Sequence, residues 1–88
     1  MDTCFVIIKT SGGIHNYQES PIGASLNQVT AERKLRESAE EQAESLRHLG
    51  HPAVAVITPA RGAEFPVATI AGIPRNIGFL MRELPLFS

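Results

Sequence analysis

Apolar positions along this chain change period repeatedly, and each change marks an element. Residues 4–8, Cys4-Phe5-Val6-Ile7-Ile8, are apolar on both parities and rich in β-branched side chains. That is the pattern of a central strand covered on both faces, or lying near a dimer contact. Ser11-Gly12-Gly13 then supplies the residues that a hairpin turn tolerates. Residues 14–19 alternate as a returning strand, with Ile14, Asn16 and Gln18 on one side and His15, Tyr17 and Glu19 on the other. Both sides are more polar than the first strand. An edge position is expected, ended by Pro21 and Gly23.

A helical period begins near Ser25. Ser25-Leu26-Asn27-Gln28 has capping-box spacing, and Asn27 is a competing cap two residues later. Ala31, Leu35, Ala39, Ala43, Leu46 and Leu49 recur at steps of four and three, so one narrow stripe of a long helix faces a sheet. Gly50 suits the left-handed position after the helix, and Pro52 prevents continuation. Residues 53–58, AVAVIT, form a second apolar strand stopped by Pro59. Residues 60–63 turn the chain into a strand over 64–70, which Pro66 places at an edge. Beyond Gly72, Pro74 suits a first helical turn. Ile73, Ile77, Leu80, Met81 and Leu84 then share one side of a short helix ended by Pro85, with Phe79 pointing outward.

The order ββαββα predicts an α+β two-layer sandwich. An antiparallel sheet of about four strands is packed by one long amphipathic helix, with a short C-terminal helix added. The tail, Ile77-Gly78-Phe79-Leu80-Met81 and Leu84-Pro85-Leu86-Phe87, is unusually apolar. It is expected to fold over the open sheet face, with a homodimer contact as the alternative.

Composition narrows the class. Eighty-eight residues, 43% apolar and 19% charged, make a single domain over 1–88 and not a disordered tail. A net charge of −1 gives no global steering toward nucleic acid or an anionic membrane. A single cysteine, Cys4, excludes an internal disulfide framework and a cysteine-based structural zinc site; inside its apolar run it reads as a buried structural thiol. The five-residue apolar run at 4–8 is too short for a signal segment or a membrane span, so a soluble cytoplasmic chain is expected.

Three patterns carry possible chemistry. Gly12-Gly13 leads into a strand-like segment with no following Lys-Ser/Thr, so a hairpin turn is expected in place of a phosphate loop. His15, Tyr17 and Glu19 project together as a solvated or partner-binding strand face; no nucleophile or ligand set converges on them for catalysis. His48 and His51 have HxxH spacing, but Gly50 interrupts the helix between them, and Glu44 is better placed as an i,i+4 partner of His48. No metal or cofactor is expected.

The long helix is more informative. Arg33, Lys34 and Arg36 precede Glu37, Glu40, Glu41 and Glu44, an order that opposes the helix dipole. Pairs such as Glu32–Arg36 and Arg36–Glu40 contribute only about 0.2–0.5 kcal/mol each, so local stability does not account for the order. The order reads either as a solvated mixed-charge face, the commoner meaning of an exposed charge run, or as a bipolar docking face whose Glu cluster meets a basic patch on a partner and whose Arg/Lys cluster meets an acidic one.

The segment FVIIKTSGGIHNY, followed by a long amphipathic helix and VAVIT, resembles the small strand-hairpin-helix-strand proteins of phages and other mobile elements. The resemblance covers about two-thirds of the chain and implies an accessory or anti-defence role, anti-CRISPR inhibitors included, exercised by binding a host protein. It assigns no residues. The expected function is thus a non-enzymatic protein-binding module. Its contact residues would be His15, Tyr17, Glu19, Arg33, Arg36, Glu37, Glu40, Glu41 and Glu44. The alternative is nucleic-acid binding through Lys9, His15, Tyr17, Arg61 and Arg75, with Tyr17 stacking on a base.

Overall fold

A computed structural model describes residues 3–59 and 65–85. Five strands and one helix follow in the order β1 (Thr3–Ser11), β2 (Gln18–Ser25), α1 (Gln28–His48), β3 (Val54–Thr58), β4 (Val67–Ala71) and β5 (Ile77–Pro85). The strands form one antiparallel sheet in the order β2-β1-β5-β4-β3, and α1 lies across one of its faces. The expected α+β class and long covering helix are present. The strand count is five, and the helix count among the described residues is one. That helix is not long and apolar enough to cross a membrane.

The helix forms as its stripe predicts. Ala31, Leu35, Ala39 and Ala43 are fully buried, and Leu46 packs at the margin of the core. Of the two possible caps, Asn27 prevails: its Oδ1 accepts from the Thr30 amide at 3.1 Å, while Ser25 Oγ accepts from the Asn27 amide. At the other end Gly50, with φ of +92°, closes a Schellman motif. Its amide donates to the Arg47 carbonyl, and the His51 amide donates to that of Leu46. The stripe stops one residue sooner than its spacing suggests, because Leu49 caps the helix and is left 75% exposed.

Beneath the helix, Phe5 and Ile7 of β1, Phe79 and Met81 of β5, and Ala68 and Ile70 of β4 complete the core. The alanines of α1 bring its backbone close to the sheet, and the larger side chains stand on the strands. Phe65 meets Phe5 edge to face, with ring centroids 5.8 Å apart.

Several expectations are corrected. The predicted C-terminal helix is β5, a central strand paired with β1 from Thr3↔Pro85 to Ser11↔Ile77. Its 73, 77, 80, 81, 84 spacing fits a helix, but Ile77, Phe79 and Met81 also alternate, and that alternation fills the helix-covered face. Phe79 is accordingly buried, and residues 77–85 form part of the sheet instead of covering it. Strand β4 lies inside the sheet between β5 and β3, because Pro66 precedes its first paired residue. The returning strand begins later than predicted, at Gln18, since residues 14–16 are used in the turn. Gly12 has φ of +90°, a Cβ there would run into the Asn16 carbonyl, and the Gly13 amide donates to Asn16 Oδ1 at 2.7 Å. Pro21 and Gly23 do not end β2. It runs through them to Ser25 with a register irregularity opposite Ile7 and Ile8, as an edge strand permits. Residues 60–64 and 86–88, which carry the predicted turn, the start of the 64–70 strand, and Leu86 and Phe87, lie outside the described residues.

Leu35 is the only large side chain of α1 that is fully buried. Leu35→Ala is expected to lose about 2–5 kcal/mol of unfolding free energy. Asn27→Ala is expected to lose about 1 kcal/mol, both measured by urea denaturation.

Candidate functional site

Residues directly paired across antiparallel strands share a face, so the register sorts every strand side chain. Ile7 contributes to the core under α1, and Lys9 on the same parity donates from Nζ to Gln42 Oε1 of the helix at 3.0 Å. Cys4, Val6, Ile8 and Thr10 therefore point to the opposite, open face. Their partners Leu84, Arg82, Leu80 and Gly78 on β5 point with them, as do Glu19, Pro21 and Ala24 on β2. From Thr69↔Gly78 the same parity carries on through Val67 and Ala71 to Val54, Val56 and Thr58.

Glu19 and Arg82 are the charged residues of this face among the described residues. They form a bidentate pair: Arg82 Nη2 donates to Glu19 Oε2 at 2.6 Å and Nη1 to Oε1 at 3.2 Å. The Tyr17 hydroxyl donates to the same Oε2 at 3.0 Å. Glu19 stands beside Thr10 while Arg82 stands beside Val6, so the bridge crosses the sheet diagonally above Ile8. That accounts for Ile8 being only 7% exposed on a face with no helix over it. The hydrogen bonds from Arg82 and then Tyr17 hold the Glu19 carboxyl below its ordinary range. Partial desolvation, followed by the bond to Glu19, raises the Tyr17 phenol above its ordinary value of 10. His15, expected to join them, sits exposed in the turn before β2. Arg82 was not among the expected contact residues. Its signal was available: on a strand parity otherwise holding Gly78, Leu80 and Leu84, a lone cation demands a carboxylate.

The second surface is the outer side of α1. With Ala31, Leu35, Ala39 and Ala43 inward, Arg33, Glu37, Glu40 and Glu44 form the outermost row, flanked by Arg36 and Glu41. All six are exposed. Among the described residues the ion pairs are Arg82–Glu19 and His48–Glu44, the latter at 3.8 Å. The Glu32–Arg36 and Arg36–Glu40 pairs do not form; Glu32 instead accepts from Gln28 Nε2 at 3.3 Å, and Lys34 reaches the Ala24 carbonyl. The contact residues expected from the sequence thus fall on opposite sides of the molecule, the helix row on one and Tyr17 with Glu19 on the other.

Residues proposed for nucleic-acid binding do not form one patch. Lys9 is held under the helix side, Tyr17 faces the other way, Arg75 lies in the β4–β5 connection, and Arg61 is outside the described residues. A cleft of about 450 Å³ opens between the two turns at this end of the sheet, walled by Gly13, Asn16, Arg75 and Asn76. Arg75 is the only titratable group lining it. Cys4, expected to be buried, is half-buried on the open face beside Leu84. Among the described residues no three His, Cys, Asp or Glu side chains gather as a metal-holding group.

No protein-family model, curated protein or solved structure matches this chain. Fold and surfaces define a two-layer α+β domain with a charged, outward helix row and an apolar, uncovered sheet face.

The lowered Glu19 pKa has a definite sign. Its stabilising effect is present above the ordinary carboxylate range and is lost as pH falls through the lowered folded value. Glu19→Gln is therefore expected to be less stable than the parent at neutral pH, with the difference shrinking as the pH is lowered through that window. Thermal melts across an acid pH series read it out. The same variant is expected to bring the Tyr17 phenol part of the way back toward 10, followed by ultraviolet titration.

Proposed function

We propose that this chain is a small non-enzymatic protein-binding module that acts as an accessory or inhibitor protein, docking the outer face of α1 on a host protein. The observation that carries this reading is the row Arg33, Glu37, Glu40 and Glu44 with its flanks Arg36 and Glu41. These charges are exposed, and only Glu44 has an ion-pair partner among the described residues. Bases precede acids along the row, an order the helix dipole does not call for: the dipole acts on the end turns, and there the bases Arg47 and His48 already stand at the C-terminal end. Exposed charges with so few ion-pair partners on their own chain suit a partner of complementary pattern. Such patterns select partners and speed encounter more than they strengthen the final complex. The resemblance of FVIIKTSGGIHNY, helix and VAVIT to small mobile-element proteins supports the inhibitor side of the reading. The polar group on β2 faces away from α1, so the proposed docking surface consists of the helix alone.

The test is Glu40→Lys, Glu41→Lys and Glu44→Lys together, compared with the parent chain in affinity capture from the source cells. All three positions are exposed, so the thermal melt is expected to stay close to the parent's. The captured partner is expected to be lost, and parental binding is expected to weaken as ionic strength rises. Retention of the same partner at undiminished affinity removes the helix from the reading.

A further inference from the structure

The open face of the sheet is largely apolar across β1, β5, β4 and β3, with β2 adding Glu19, Pro21 and Ala24 at its edge. Cys4, Val6 and Ile8 on β1, Leu80 and Leu84 on β5, Val67 on β4, and Val54 and Val56 on β3 all point to it. Val54, Val56, Val67 and Leu84 are 55, 44, 42 and 47% exposed, values that belong to side chains awaiting a cover. We infer that this face is the interface of a homodimer, two sheets stacked face to face about a two-fold axis with the charged helices outermost.

Three observations select a second copy as the occupant. The first is pattern: β1 is apolar on both parities, as strands covered on both faces are, yet α1 covers only one. Size is the second. Five strands about 4.8 Å apart make a face about 24 Å wide and roughly 17–30 Å long. Its accessible area, larger than its flat projection, is thus of the order of the about 800 Å² per partner that a stable interface removes from water. The third is charge. Among the described residues the face's two charges, Glu19 and Arg82, already neutralise one another in a bidentate pair. No excess of either sign remains on the face to recruit an unlike partner or an anionic lipid surface, whereas a two-fold axis sets apolar rows on apolar rows and needs none. Packing would follow that of β-sandwiches, with the sheets about 10 Å apart. The inference is independent of the helix-face reading, since both helix faces remain free in such a dimer.

Sedimentation equilibrium over a wide concentration range, with alkylation of Cys4 at each concentration, tests it. Cys4 is the only cysteine and lies on the open face. The expected result is a dimeric mass with Cys4 alkylation slowed about tenfold or more on concentrating the native chain. Val67→Lys with Leu84→Lys is expected to weaken association by about 100-fold or more while leaving the circular dichroism unchanged. The Cys4 measurement needs no variant, so it decides the matter even where the lysines disturb folding. A single-chain mass at every concentration overturns the inference, whether or not the face then adsorbs to lipid vesicles or to another protein. So does a dimer that keeps Cys4 fully reactive, because such a dimer leaves the open face uncovered.

Discussion

The five strands make one sheet because a helix lies across its weakest seam. Strands β4 and β5 pair only at Ala68↔Phe79 and Thr69↔Gly78, whereas β1 and β5 pair along their full length. Gly78 occupies that seam, and a Cβ there would meet Thr10 Oγ1 at 2.9 Å and the Ala68 carbonyl at 3.3 Å. Backbones thus approach more closely at this point than a side chain allows. So short a ladder does little to fix β3 and β4 against β2, β1 and β5. The core does it instead: Leu35 and the alanines of α1 pack at once against Phe5, Ile7, Phe79, Ala68 and Ile70. Local pairing and helix packing therefore support each other, and neither half of the sheet has a core of its own.

A single helix imposes the second constraint. It is about 10–12 Å across, while five strands span about 24 Å, so one helix covers the middle of one face and none of the other. Residues on the uncovered face find shelter only where another side chain crosses them. Ile8, under the Glu19–Arg82 bridge, is the clear instance, and Val54, 55% exposed, is the contrast.

Helix α1 was legible in the sequence because its signals agreed: cap, stripe, terminal glycine and following proline all bounded one segment. β1 was legible as a strand apolar on both parities. β5 was not, and the cause is physical. IGFLMRELP satisfies a helical spacing and a strand alternation together, and only tertiary pairing with β1 decides between them. Gly78 in its interior was the available hint, being poor in a helix and apt where backbones close up. β2 was misplaced by the length of its turn, since Asn16 serves to close Gly12 and Gly13 and so delays pairing until Gln18. Of the contact residues, the helix charges could be placed because one buried stripe fixes the opposite face. Glu19 does lie on the returning strand and Tyr17, just before it, bonds to Glu19, but their partner Arg82 lies 63 residues away in sequence from Glu19, on the element that was misread.

The Glu19–Arg82 bridge shows what a polar pair does on such a face. In water an exposed ion pair contributes little to stability, and covering it would cost desolvation that its Coulomb energy does not readily repay. Its use is in geometry. With both terminal guanidinium nitrogens, Nη1 and Nη2, committed to Glu19, Arg82 reaches diagonally over Ile8 toward β2, and among the described residues the face stays neutral. Tyr17, bonded to the same carboxylate, prolongs the arrangement to the edge of β2. A face neutralised in this way admits another apolar surface, and tolerates poorly one that brings an unmatched charge. The opposite surface, the row of charges on α1 of which only Glu44 is ion-paired among the described residues, has the reverse character. One domain thus presents two surfaces with opposite requirements on opposite sides, and engaging one leaves the other free.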